Sequence, residues 1–341
     1  MSPEEYERYS RQILFGPLGE EGQRRLMGSR AAVAGCGALG TFHVAALARA
    51  GVGEIVIIDR DYVEPSNLQR QWLFDERDAE LGMPKAAAAA EKVRALNSSI
   101  RVEPRIADLS ADNAAKLFEG ADVILDGTDN FETRYLINEL AVRDGLPWVY
   151  GAAVGSYGAT MPILPGRTAC LACLFPEAPG AGAPTCDTAG ILNVAAAAVA
   201  ALQVADAIKI LSGATDAVQA RLLSLDVWSG DPRSIRTQKP DPDCPVCGKR
   251  EFPRLAEGGR GRVAALCGRD AVQVFGSGGS VDLAALAASL EPLGEVRRNE
   301  YALRFVKPPH EMTIFEDGRA IIKGVQDVAA ARSLYARYVG S

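Results

Sequence analysis

Short apolar runs alternate with segments of helical period through the first half of the chain, and that alternation predicts its elements. Strands are expected at Ala31–Ala34, Glu54–Asp59, Arg101–Ile106, Asp122–Leu125, Leu146–Val154 and Gly155–Leu164, and later at Arg221–Val227. Helices are expected at Glu4–Leu14, after Gly40, at Lys85–Leu96, around Asn113–Phe118, at Phe131–Asp144 and at Ile191–Leu211. Strand and helix taking turns predicts an α/β fold: a Rossmann-like, mostly parallel sheet with helices on both faces. From Glu251 the texture changes. Strands at Ala271–Phe275 and Tyr301–Val306, a helix at Val281–Leu293, a hairpin turning at Glu316-Asp-Gly318 and a last helix at Asp327–Tyr338 predict a small α/β appendage. The expected division is a large domain at 1–250 and a small one at 251–341.

Composition adds size and surroundings. At 341 residues and 48 % hydrophobic the chain can bury a sizeable core, and a formal net charge of −6 argues against a nucleic-acid binder. Met1-Ser-Pro-Glu-Glu-Tyr-Glu is no signal peptide, and the most apolar stretch, Ile191–Leu211, carries Asn193, Gln203, Asp206 and Lys209 and reads as a buried helix. A cytosolic protein without membrane or nucleic-acid partners is expected.

The candidate chemistry centres on Gly35-Cys-Gly37-Ala-Leu-Gly40, which follows a strand and opens a helix. Gly35 suits the tight turn, Gly37 the approach of a phosphate, and Gly40 close helix–strand packing; the helix start attracts an anion. Asp59 ends the next strand, where a ribose hydroxyl would sit. Asn67-Leu-Gln-Arg70-Gln71 places an amide and a guanidinium near this loop, either as turn structure or as phosphate ligands. Lys85 opens a helix after Pro84, where a cation opposes the helix dipole by a few tenths of a kcal/mol but suits a triphosphate. In Asp126-Gly-Thr-Asp129-Asn130, either Asp129 or Asn130 caps the following helix, or a carboxylate holds Mg²⁺. Arg8-Tyr-Ser-Arg11-Gln12 reads as a solvated amphipathic arm. His43 is expected to be packed and His310 to lie at the surface.

Seven cysteines are present. Cys170-x-x-Cys173 and Cys244-x-x-Cys247 make a complete thiolate set for a closed, structural zinc site that pins the end of the large domain to its middle, with an iron–sulfur cluster or a redox pair as the weaker reading. Cys186 lies in a Pro/Gly/Ala-rich loop, Pro176–Asp187, as an incidental or a reactive thiol. Cys36 is expected inside the glycine loop and Cys267 in a small core.

Taken together these motifs, in this order over about residues 1–250, resemble the MoeB/ThiF/HesA family of adenylyltransferases, bacterial relatives of ubiquitin-activating enzymes. The resemblance implies MgATP and a ubiquitin-like sulfur carrier whose C-terminal Gly-Gly carboxylate attacks the α-phosphate, giving an acyl-adenylate and pyrophosphate. It implies that Gly35, Gly37, Gly40 and Asp59 hold the nucleotide, that Asn67, Arg70 and Lys85 bind phosphates, and that Asp129 places Mg²⁺. Arg11 would reach the neighbouring subunit's site in a homodimer, and Cys186 matches a cysteine that some members use for covalent carrier adducts. The tail departs from the rhodanese domain of longer members, so sulfur would come from a separate donor such as a cysteine desulfurase. Other readings are a nicotinamide-dependent oxidoreductase, a non-catalytic nucleotide-binding protein and a relative that activates a tRNA base substituent.

Overall fold

A computed structural model describes residues 1–177, 186–237, 239–256, 264–266, 271–274, 280–325 and 327–340, without the side chains of 186–187 and 264–266. The chain forms two compact units, Met1–Glu76 with Lys85–Gly258, and Arg77–Pro84 with Gly259–Ser341.

In the first unit, helices α1 (Pro3–Ile13) and α2 (Gly19–Met27) precede strand β1 (Arg30–Ala34), helix α3 (Gly40–Ala50) and strand β2 (Glu54–Asp59). There follow α4 (Glu76–Glu80), of which only Glu76 belongs to this unit, α5 (Lys85–Leu96), β3 (Arg101–Ile106), α6 (Ala114–Leu117), β4 (Val123–Asp126) and α7 (Phe131–Asp144). Next come β5 (Trp148–Val154), β6 (Tyr157–Ile163), α8 (Leu171–Leu174), α9 (Cys186–Ala189) and α10 (Asn193–Leu211). Strands β7 (Arg221–Asp226) and β8 (Asp231–Arg236) and helix α11 (Pro253–Ala256) complete it. The strands form one sheet in the order β3-β2-β1-β4-β5-β6-β7-β8. The first five run parallel, and β6, β7 and β8 are added antiparallel.

From Ala31 to Ala34 strand β1 is apolar because both faces of the sheet are covered. Ala32, Ala34, Val56, Ile58 and Ile124 join one core with α7 and the four clustered cysteines. The alternate positions Ala31, Val33, Ile55, Ile57 and Leu125 are equally buried on the face served by α3, α5 and α10. Strand order reverses beside β1, with β2 on one side and β4 on the other. A crevice at the carboxyl ends of such strands is where α/β proteins bind ligands. Helix α10 alone among the described residues is long and apolar enough to cross a bilayer, but it packs on β5, β6 and α3.

Three departures from the sequence reading have plain causes. Strand β8 is exposed at every position and reads Asp-Pro-Arg-Ser-Ile-Arg, so it carries no apolar alternation to detect. Helix α2 is short and rich in charge, Gly-Glu-Glu-Gly-Gln-Arg-Arg-Leu-Met. The segment Arg8–Gln12 is not a solvated arm: Tyr9 is buried, Gln12 Nε2 donates to Ala50 O at 2.9 Å, and Arg8 Nη1 donates to Asn97 Oδ1 at 2.8 Å.

In the second unit, strands β9 (Ala264–Leu266), β10 (Ala271–Val274), β11 (Glu295–Arg298), β12 (Ala302–Lys307), β13 (His310–Phe315) and β14 (Ala320–Lys323) form a wholly antiparallel sheet. Its order is β11-β12-β13-β14-β10-β9. Helices α12 (Leu283–Leu290) and α13 (Val328–Tyr338) supply Leu283, Leu290 and Tyr335 to a core shared with Val272, Leu303, Phe305, Ile314 and Ile322. The segment Arg77–Pro84 is tied to this unit where Asn299 Nδ2 donates to Leu81 O at 3.0 Å. Among the described residues, β9 and β11 are strands that the sequence reading did not expect.

Candidate active site

The glycine loop between β1 and α3 is built by backbone packed on backbone. Gly35 has φ +86°, and a Cβ there would stand 2.6 Å from Gly127 O. A Cβ on Gly40 would stand 1.9 Å from Gly35 O, and one on Gly127 would stand 2.5 Å from the same oxygen. Gly35, Gly40 and Gly127 therefore interlock, and any side chain would force the ends of β1 and β4 apart. Gly37 has more room, with Gln71 Nε2 at 3.9 Å from its missing Cβ. The role of Gly127 was missed, although the Asp-Gly-Thr-Asp run following a strand was its signal.

Asp59 stands at the end of β2, beside this loop. Its Oδ2 accepts from Cys36 N at 2.6 Å and its Oδ1 from Asp61 N at 2.7 Å. Each carboxylate oxygen keeps a lone pair for a further donor. Burial raises the Asp59 pKa, and the charge of Lys85 opposes that rise. Lys85, only 3 % exposed, donates from Nζ to Asp61 Oδ2 at 3.2 Å, and its own N–H donates to Asp61 O at 2.8 Å. The lysine thus reaches its place by burial against a partner carboxylate that the sequence reading did not single out. Arg60 pairs with Asp108 at 2.9 Å. Cys36 is packed inside the loop as expected, and burial together with Asp59 holds its thiol well above the ordinary range.

After β2 the chain makes a short turn at Pro65–Asn67. Asn67 is buried, and its Oδ1 accepts from Glu64 N at 3.1 Å. One end of that amide therefore builds the turn. Arg70 is half-buried and donates from Nη1 to Ser66 O at 2.8 Å. Gln71 N donates to Asn67 O at 3.0 Å, which brings the Gln71 side chain to Gly37.

The end of β4 sorts its polar residues into internal and open ones. Asp126 is wholly buried and accepts from Arg134 Nε, Thr128 N, Thr128 Oγ1 and Gly151 N at 2.7–3.3 Å. Four donors satisfy that carboxylate, so it is structural. Arg134 also donates to Thr128 O at 2.6 Å and Gly151 O at 3.1 Å, beside the rings of Phe131 and Tyr150. Asn130 is the cap of α7, accepting from Thr133 N at 2.8 Å. Asp129 is exposed; against the lowering effect of burial, Asp108 chiefly raises the pKa of Arg60 and Asp126 that of Arg134, and Asp129 adds a smaller contribution to each. Behind this corner, Gln203 of α10 donates to Asp126 O and Val149 O, both at 2.9 Å, and its Oε1 meets His43 Nε2 at 2.8 Å. Since that amide oxygen can only accept, His43 Nε2 carries the proton. His43 is fully buried as expected, and burial lowers its pKa to about 4. Neither Arg134 nor Gln203 was singled out as a site residue; the signal for Gln203 was a polar side chain inside an Ala-rich helix.

Arg11 does not join these groups within one chain. Helix α1 docks at the far end of α3, where Tyr9 packs on Gly51 and its hydroxyl accepts from Asn97 Nδ2 at 2.9 Å. An 11-residue helix spans roughly 16 Å, which separates this contact from the glycine loop. Arg11 is exposed there.

The four cysteines of the two knuckles come together with all sulfurs within 4.8 Å. Cys170 lies 3.8 Å from Cys173 and from Cys244, and Cys173 lies 3.3 Å from Cys247. A tetrahedron with metal–sulfur bonds of about 2.3 Å has edges of about 3.8 Å, so the set fits zinc. Burial and the neighbouring Cys173 push the Cys170 thiol up to about 12, so a thiolate there calls for a cation. Asn138 of α7 supports the cluster, donating to Cys170 Sγ at 3.6 Å and accepting from Leu171 N at 2.9 Å. Cys186 opens the short helix α9, but its side chain, residues 178–185 and Cys267 lie outside the described residues.

Residues 9–246 match the ThiF family. The chain belongs to the ThiF family. A sulfur carrier protein ThiS adenylyltransferase of Bacillus subtilis is 46 % identical over 336 residues, covering 98 % of this chain and 99 % of the relative. The SAMP-activating enzyme E1 of Haloferax volcanii is 42 % identical over 244 residues, 71 % of this chain and 89 % of its own. Among solved structures, E. coli MccB with ATP superposes with a TM-score of 0.63 at 25 % identity, covering 71 % of this ThiF-family chain and 74 % of MccB.

Proposed function

We propose that this chain is an ATP-dependent adenylyltransferase that activates the C-terminal Gly-Gly carboxylate of a ubiquitin-like sulfur-carrier protein. The observation that carries the reading is the gathering of Asp59, Lys85, the Asn67–Gln71 turn and Asp129 around the interlocked glycines of a ThiF-family crevice. A nicotinamide enzyme needs the glycines and the ribose acid, but not the rest. The match to the Bacillus relative includes the C-terminal unit, which favours a carrier of the ThiS type, and hence thiamine rather than molybdopterin biosynthesis.

In this reading Gly35, Gly37 and Gly40 take the nucleotide backbone, and Asp59 accepts the ribose hydroxyl. Lys85, Arg70 and the NH₂ of Asn67 donate to phosphate oxygens. Asp129, the exposed carboxylate of its segment, would hold Mg²⁺, whose charge would stabilise the phosphate oxygens when bound. A carrier carboxylate oxygen attacks the α-phosphorus, the bond to the β-phosphate oxygen breaks, and acyl-adenylate and pyrophosphate result. No protein nucleophile is required; the residues position the reactants and stabilise developing charge. Zn²⁺ held by Cys170, Cys173, Cys244 and Cys247 supplies a structural cross-link and no open coordination position. Arg11, remote from the site of its own chain, serves the site of the partner subunit in a homodimer. The Cys186 sulfur attacks the carbonyl carbon of the carrier acyl-adenylate and displaces AMP, giving a thioester adduct, and sulfur comes from a separate donor such as a cysteine desulfurase. The adenylation domain, expected at 1–250, corresponds to the first unit, and the domain expected at 251–341 to the second, in a cytosolic enzyme with no nucleic-acid or membrane partner.

The test is ATP–pyrophosphate exchange with and without a Gly-Gly-ended carrier from the same genome. Exchange that requires the carrier and is lost in Asp129→Ala is expected. Tight ATP binding with no exchange for any carrier would refute the reading.

A further inference from the structure

The roles assigned so far leave the side chain of Gln71 unused. It is only 3 % exposed, and its amide nitrogen lies 3.9 Å from the position of a Cβ on Gly37. The backbone is held on both sides. Gln71 N donates to Asn67 O, and Trp72 N donates to Thr41 Oγ1 at 3.1 Å. The Thr41 hydroxyl in turn donates to Gly37 O at 2.8 Å. The carboxamide is thereby fixed beside the glycine loop, yet its buried Oε1 has no hydrogen-bond partner. Buried polar atoms are nearly always satisfied, and an orphan beside a ligand crevice points to a partner that arrives with the ligand.

We propose that Gln71 is a substrate-contacting residue that reads both reactants: its NH₂ donates to a phosphate oxygen over Gly37, and its carbonyl accepts a peptide N–H from the carrier's Gly-Gly tail. The proposal rests on the function given above. An ionised phosphate offers acceptors and no donor, so it satisfies only the NH₂ end. The orphaned acceptor needs a donor, and the tail's backbone supplies one where its carboxylate meets the α-phosphate. Arg70 and Lys85 carry donors only and recognise charge; a carboxamide carries both and suits the junction between phosphate and peptide. The argument holds for either orientation of the amide, because a flipped carboxamide still presents one donor end and one acceptor end.

The test uses the full chain and two near-isosteric variants. Gln71→Glu keeps the acceptor and replaces the donor with a negative charge beside phosphate. Calorimetric titration with ATP should show affinity falling at least about tenfold, with the KM for the carrier in pyrophosphate exchange changed far less. Gln71→Leu removes both ends and should raise the ATP Kd and the carrier KM together, about tenfold each. Both variants should melt close to the wild type. Lowered melting with both constants unchanged would show a packing role and overturn the proposal. Calorimetry needs no carrier, so a wild-type chain that binds ATP without exchange refutes the adenylation reading alone, while Gln71→Glu still decides the phosphate contact.

Discussion

Gly40→Ala is a substitution whose cost can be worked from the backbone. The new Cβ would stand 1.9 Å from Gly35 O and 2.8 Å from Gly35 C. A close C···O contact is about 3.3 Å, so the strand-to-helix turn must open by roughly 1.4 Å. Neither neighbouring atom belongs to a side chain that can rotate away. Gly35 is itself pressed on Gly127, which carries the displacement to β4. Overpacking of this kind costs about 3 kcal/mol, and the better helix propensity of alanine returns at most about 1 kcal/mol. For a unit of this size, a net loss of about 2–3 kcal/mol lowers the melting temperature by roughly 4–12 °C. ATP affinity should fall with it, because Gly35 and Gly37 are the residues proposed to take the nucleotide backbone. Scanning calorimetry and ATP titration measure both effects. Gly28→Ala is the control, since its Cβ meets nothing closer than 3.7 Å, and it should stay within about 0.5 kcal/mol of wild type. A Gly40→Ala protein that melts with the wild type and binds ATP equally well would refute the interlocked-glycine account.

Three further outcomes are expected. His43 has its pKa lowered from 6.5 to about 4 by burial, so between these values the unfolded chain takes up a proton that the folded chain refuses. That contribution to stability is fully present above about pH 6.5 and shrinks as pH falls toward 4, by about 3 kcal/mol in all; His43→Gln should flatten the acid limb of a denaturation series. Removing metal with a strong chelator, or Cys244→Ser, should lower the melting temperature and release about one zinc per chain, measurable by elemental analysis. Mixing inactive Arg11→Ala with inactive Asp129→Ala chains should restore part of the exchange activity. One subunit then carries an intact site that faces an intact Arg11 of its partner, and no recovery would count against the shared site.

The fold was legible where burial is symmetric and repetitive. The apolar runs Ala31–Ala34 of β1 and Ile55–Ile58 of β2, the glycine spacing and the acid at Asp59 specified a doubly covered sheet. The sequence could not separate residues that serve the ligand from those that serve the backbone. Asp126 and Asp129 differ by three positions, yet one is saturated by four internal donors and the other is open. Asn130 rather than Asp129 caps α7, a choice that depends on which side chain folds back to Thr133 N. Contacts far apart in sequence, such as Gln203 with Val149 and Gly127 with Gly35, were invisible because single-residue patterns carry no partner information. Elements with no buried face, β8 above all, left no periodic trace.

Helix α7 has a consequence beyond its place in the sheet. Its amino end follows Asp129, and Asn138, in the middle of the same helix, holds Cys170 and Leu171. From Asn130 to Asn138 the helix rises only about 12 Å. Oxidants that attack sulfur would therefore act on a shared strut rather than on an isolated clasp. Breaking the thiolate cluster frees one side of α7 and, with it, the setting of the carboxylate at its head. With zinc held there as proposed, a cell under oxidative or zinc-starvation stress would lose carrier activation through chemistry that never touches a nucleotide.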